Sequence, residues 1–144
     1  MLKQILFGGE SGLSPLANAG LTGLRVFTGF ALAFGHGLGK LPPGEGLVQG
    51  AASLGFPAPT LFAWAAALAE FGGGIGLALG LFTRISSFFI VFTMIVAAFG
   101  VHFNDPFGKK ELALFYLFIG LCFLLKGAND WSIDAFFRSS ESRL

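Results

Sequence analysis

Four apolar runs, each long enough or nearly long enough to cross a bilayer, leave this chain few ways to fold. Their bounds are roughly residues 16–38, 60–82, 85–103 and 109–126. A hydrocarbon core takes about 20 residues of helix. Inside it every backbone polar group needs a partner from the chain, so only helices and closed barrels can cross. The runs are continuous and do not alternate apolar with polar, which selects helices. The expected fold is all-α, a four-helix transmembrane antiparallel bundle, with residues 1–144 forming a single membrane domain. The fourth run is the shortest, and its flanking Lys109, Lys110 and Lys126 are expected to snorkel toward the interface.

Composition agrees. Only 12% of residues are charged, against about 25% in a soluble domain. The net charge of +1 gives no footing for a nucleic-acid partner. Phenylalanine occurs 19 times and tyrosine once, a choice that suits a lipid-facing surface because the ring carries no polar atom to satisfy. The bilayer is thus the first expected partner, and a homo-oligomer is compatible with the pattern. Residues 1–7 lack an apolar stretch leading into a small-residue cleavage site. Residues 2–7 are expected to form an interfacial segment, with the first span retained.

The connections are unequal. Arg84 is nearly alone between the second and third runs, which predicts a tight hairpin. Asn104-Asp105-Pro106 is a helix stop. Residues 39–59 form the longest connection, bounded by Pro42-Pro43-Gly44 and Pro57-Ala58-Pro59, with room at 47–54 for a short interfacial helix. Four spans put both termini on one side. The lysine and arginine excess on that side (Lys3, Arg84, Lys126, Arg138, Arg143 against Lys40, Lys109, Lys110) predicts cytoplasmic termini.

The ionisable residues inside these runs carry the functional argument. Glu70 lies in an otherwise apolar and glycine-rich run, where a carboxylate costs a few kcal/mol even on lenient insertion scales. Ala63, Ala66, Ala67, Gly73, Gly74 and Leu77 share its face and let another helix approach closely. Glu70 is therefore expected to face the bundle interior, at a depth that allows a pair with Arg25. That pair is as well explained by helix register as by function. His36, Lys40, His102 and Glu111 are expected at one non-cytoplasmic mouth above Glu70. Arg84 is the remaining candidate. Taken singly, either histidine is most simply an interfacial residue at a helix end. Their convergence with Lys40 and a buried carboxylate favours a binding site.

Several chemistries are weakened by the residues present. Cys122 is the sole cysteine, which removes a dithiol relay within the chain. Gly72-Gly73-Gly74-Ile75-Gly76 lacks the lysine and hydroxyl of a phosphate loop. His36, His102 and Glu111 match a His₂-carboxylate metal set in type but not in local spacing, so no metal is assigned. A haem held by two histidines would need them on opposite sides of the core. A quinone suits the inventory best, with His and Lys for its carbonyls, a buried carboxylate for protons and phenylalanine walls for ring and tail.

The pattern Arg25…His36-Gly37-Leu38-Gly39-Lys40-Leu41, then Pro57-Ala58-Pro59, then Ala69-Glu70-Phe71-Gly72-Gly73 through Gly80-Leu81-Phe82-Thr83-Arg84, resembles the DoxX family of small bacterial membrane proteins. The likeness continues through His102, Lys110-Glu111 and Trp131-Ser132-Ile133-Asp134. It implies a four-helix protein of the bacterial inner membrane and an association with membrane redox chemistry, since the family name comes from a subunit of a thiosulfate:quinone oxidoreductase. Arg25, His36, Lys40, Glu70 and Arg84 are the polar positions that match. The resulting expectation is a quinone-interacting or partner-docking subunit of a membrane oxidoreductase system, at most an oxidoreductase subunit as an enzyme, with quinone as the cofactor to test. The alternatives are a noncatalytic membrane scaffold and a small-solute or ion permease using Arg25 and Glu70.

Overall fold

The computed structural model describes residues 6–139, the side chain of Ser139 excepted. Lys3 and Arg143, used in the orientation argument, and most of the segment expected to lie at the interface (2–7) fall outside the described residues. Among the described residues, no strand and six α-helices of seven residues or more are present. They are α1 (Pro15–Leu32), α2 (Glu45–Ser53), α3 (Pro59–Leu79), α4 (Thr83–Val96), α5 (Phe107–Lys126) and α6 (Ile133–Ser139).

Two helices continue past their regular portions at the same end of the molecule. After α1 come a π turn over Ala33–Gly37 and a 3₁₀ turn over Leu38–Lys40; after α4 comes a π turn over Ala97–Val101. With these extensions, Pro15–Lys40, Pro59–Leu79 and Thr83–Val101 are long and apolar enough to cross a membrane. The twenty-residue α5 is not in that group, because Lys109, Lys110, Glu111 and Lys126 occupy its ends. The short helix expected at 47–54 is α2, which packs on α3.

Local sequence explains the boundaries. Ser14 accepts the Ala17 N–H at the start of α1, and Pro15 occupies the first turn, where its missing N–H is not needed. Pro59 does the same for α3. Gly80, at φ 66°, closes α3 in the left-handed region that glycine adopts without a Cβ clash. Phe82, at φ 46°, turns the chain into α4.

Helix α3 packs against both α1 and α4, and α4 packs against α5. Gly29 of α1 lies against Gly74 of α3, and Gly37 lies against Phe71; a Cβ on either glycine would run into the facing backbone. These close approaches fix the antiparallel register of α1 on α3. The core cluster joins Leu32, Leu77, Ile90, Met94, Leu117 and Phe123. The outer faces carry exposed phenylalanines, among them Phe27, Phe92, Phe115 and Phe118. Such a surface suits lipid far better than water.

Candidate functional site

The ion pair at the centre of the site joins Lys40 to Glu70. The Lys40 ammonium lies 2.6 Å from both Oε1 and Oε2 of the carboxylate. Glu70 is buried, with its side chain 4% exposed, while that of Lys40 is 37% exposed. The ammonium is therefore the accessible member of the pair. The π and 3₁₀ turns after α1 position Lys40, and Gly37 lets this part of the chain sit against the α3 backbone. A π turn inserts an extra residue into a helix and re-aims the side chains beyond it, which is why such turns recur at functional sites.

Around the pair lies a cavity of about 210 Å³ lined by His36, Lys40, Glu70, His102, Lys109 and Tyr116, closed below by Leu32 and Met94. His36 and Tyr116 meet edge to face, with ring centroids 5.7 Å apart. His102 comes directly after the second π turn, and its Nδ1 is 2.8 Å from Asp105 Oδ2. The Lys109 ammonium is 3.5 Å from the other oxygen of that carboxylate. The His102 hydrogen bond, seconded by the Lys109 charge and opposed by desolvation, holds the Asp105 carboxyl below its usual range.

A second, apolar cavity of about 530 Å³ adjoins the first. Phe88, Phe89 and Phe92 of α4, Phe62 of α3, and Leu47 and Leu54 of the α2 region line it. Lys40, Glu70, Ala97 and His102 line both cavities. A ligand with a polar head and an apolar body can therefore occupy both spaces at once. The residues at the junction offer an ammonium donor, a buried carboxylate and an imidazole.

The structure thus brings His36, Lys40, Glu70 and His102 together and leaves three other candidates elsewhere. Glu111 is exposed and lines neither cavity. The face of α5 toward the site repeats at helical spacing through Lys109, Leu112, Ala113 and Tyr116, and Glu111 falls off it. The His36, His102 and Glu111 metal set is thereby dismantled. Among the described residues no group of three or more His, Cys, Asp or Glu side chains is placed to hold a metal. Arg84 sits at the α3–α4 turn and donates to the Leu125 carbonyl.

The expected pair of Arg25 with Glu70 does not form. Arg25 instead donates to the carbonyls of Leu77 and Ala78 at 2.9 and 2.8 Å and to that of Trp131 at 2.8 Å. With Gly29 opposite Gly74, antiparallel geometry puts Arg25 near residue 78, whereas Glu70 lies about two helical turns away along α3, where Gly37 packs. The last carbonyls of α3 lack their regular i+4 partners, and the buried guanidinium supplements the Gly80 N–H at Leu77 and serves Ala78. Asp134 of α6 is the counterpart at the start of α4. Its oxygens accept the N–H groups of Phe82 and Thr83 at 2.8 Å and the Thr83 hydroxyl at 2.7 Å.

Asp105, Lys109 and Tyr116 are site residues that sequence reasoning did not place. Asp105 reads as part of a helix stop and Lys109 as a solvated cap. Tyr116 carries one usable signal, as the single tyrosine among 19 phenylalanines.

A family model for DoxX matches residues 20–103, which include every residue of the Lys40–Glu70 junction. The chain is also 34% identical over 114 residues to a protein of Bacillus subtilis (strain 168) named "Putative oxidoreductase CatD", covering 78% of this chain and 83% of the relative. No solved structure matches the chain.

Proposed function

The chain belongs to the DoxX family, and from that premise we propose that this membrane protein binds a quinone, or a similar lipophilic redox carrier, as a subunit of an oxidoreductase system. One observation carries the reading: an ion pair with a buried carboxylate lines an apolar groove and a polar cavity at once. The carrier's tail occupies the phenylalanine-lined groove. One ring oxygen reaches Lys40 and His102, beside the Glu70 carboxylate. Ligand sites of this kind are mostly apolar, with a few polar groups that fix orientation. The name of the Bacillus subtilis relative supports the redox side. This chain supplies hydrogen bonds and proton-handling groups, and a docked partner protein exchanges electrons with the carrier.

In this reading α5 is a fourth span whose terminal lysines snorkel, which completes an antiparallel bundle in the bacterial inner membrane. Arginine and lysine bias puts the termini in the cytoplasm and the Lys40–Glu70 mouth on the outer side. An alkaline phosphatase fusion after Asn104 is then active and one after Arg138 inactive; the reverse pattern moves the mouth to the cytoplasmic face.

The binding test uses purified chain and short-tailed ubiquinone and menaquinone analogues. Wild type binds at least one of them, and His102→Ala weakens binding by about 1–3 kcal/mol, the cost of a lost buried hydrogen-bond partner. Equal affinity in wild type, His102→Ala and Lys40→Met would mean that uptake is only general lipophilicity, and the carrier reading would fall.

A further inference from the structure

His102 is the one junction residue with a carboxylate bound to its far nitrogen. Its Nδ1 lies 2.8 Å from Asp105 Oδ2. Asp105 is half-exposed, at 33%, and belongs to the stop between α4 and α5, so the pair sits where the cavity meets water. A carboxylate that accepts from Nδ1–H fixes the tautomer of a neutral imidazole and leaves a lone pair on Nε2. The ring lines both cavities. With Nδ1 engaged, Nε2 is the nitrogen left for a ligand. Lys40 lines the same two cavities and is a donor only. An oxygen between them meets an acceptor on one side and a donor on the other. A quinone carbonyl can satisfy only the donor, whereas a hydroxyl satisfies both.

Resting on the carrier reading above, we propose that the site selects the reduced, hydroxyl form of the carrier, a quinol or comparable phenol, and that Asp105 is the positioning residue that makes His102 its proton acceptor. In the step this allows, the carrier's O–H bond breaks and an Nε2–H bond forms on His102. The resulting imidazolium stays paired with the Asp105 carboxylate, and the phenolate oxygen stays beside the Lys40 ammonium. No electron moves in this step, and charge is conserved. The same division of labour, in which a carboxylate orients a histidine that takes a hydroxyl proton, operates in nucleophilic triads. The other charged or titratable groups facing the pair are Lys109, which touches the second Asp105 oxygen, and Glu70, His36 and Tyr116 across the cavity.

The experiment compares decylubiquinol with decylubiquinone on the purified full-length chain at pH 8. It also reads the His102 tautomer by nitrogen NMR on histidine-labelled protein. Wild type should bind the quinol at least tenfold tighter than the quinone and show the Nδ1–H tautomer. Asp105→Ala should reduce the preference to under threefold and shift His102 to the Nε2–H tautomer, while Asp105→Glu restores both. A preference retained in Asp105→Ala, a wild-type preference for the quinone, or an Nε2–H tautomer in wild type would each overturn this inference and leave the carrier reading standing. If neither form binds, the carrier reading falls and takes this one with it.

Discussion

The two ends of the bundle use charge in opposite ways. At the terminal end, Arg25 and Asp134 are buried and their hydrogen bonds run mainly to backbone: the terminal nitrogens of the guanidinium, though not its Nε, cover the last carbonyls of α3, and the carboxylate covers the first N–H groups of α4. At the other end, Lys40 and Glu70 face each other across the junction of two cavities, with His36, His102 and Tyr116 around them. Charges that neutralise helix ends are committed to the fold. Charges that neutralise only one another beside open space remain available to a ligand.

Breaking the closed end should have the largest effect. Asp134→Ala leaves the Phe82 and Thr83 N–H groups and the Thr83 hydroxyl without their acceptor. We expect a loss of about 3 kcal/mol or more, since each stranded buried group costs about 1–3 kcal/mol. Denaturant titration in detergent measures it. A loss below about 0.5 kcal/mol would mean that this end is not held by its charges.

The open end should respond less in stability and more in binding. Lys40→Met strands the buried Glu70 carboxylate, but Lys40 is partly exposed, so the expected cost is about 1–2 kcal/mol, below the figure of about 3–5 kcal/mol for breaking a fully buried pair. Lys40→Met with Glu70→Leu should regain most of that stability and none of the carrier binding. Recovery of both would erase the distinction between the two ends.

The smallest effect expected is one of pH. At the terminal end, Asp130 accepts from the Asn18 amide at 2.9 Å and from Leu13 N–H at 3.3 Å, with Arg138 at 3.9 Å. The Asn18 bond first, then the Leu13 bond and the Arg138 charge, outweigh desolvation and lower its carboxyl from the ordinary value. A lowered folded value means that the stabilisation is complete above about pH 3.9, the unpaired carboxylate value, and is lost as pH falls through the folded one. The protection factor of the Leu13 amide should therefore hold down to about pH 4 and fall as pH drops on through the lowered folded value. In Asp130→Asn that step should vanish.

Much of this was legible in the sequence because lipid leaves the chain little choice. The expected runs 60–82 and 109–126 fall within a few residues of α3 and α5, and 16–38 and 85–103 match the extended first and fourth helices. The gathering of His36, Lys40 and His102 near Glu70 came from counting turns from helix ends. The partner of Glu70 did not. Small residues on a face announce a close approach but not which glycine meets which, and a shift of two turns exchanges Arg25 for Lys40. Asp134 was hidden for another reason: it caps a helix 51 residues earlier in the chain, and no local pattern encodes that.

Both widened turns, Ala33–Gly37 and Ala97–Val101, lie at or just ahead of the site's residues, and the first packs directly on the α3 backbone through Gly37. Each acts as a swivel between scaffold and site. Rewinding either into regular α-helix at unchanged length would rotate everything downstream by about 100° around the axis. His36 and Lys40, or His102, would then leave the cavity while the core of Leu32, Leu77 and Ile90 stayed in place. The architecture is therefore modular along its length: a lineage could retune or discard the chemistry at the mouth by rewinding a single turn, without rebuilding the core that carries it.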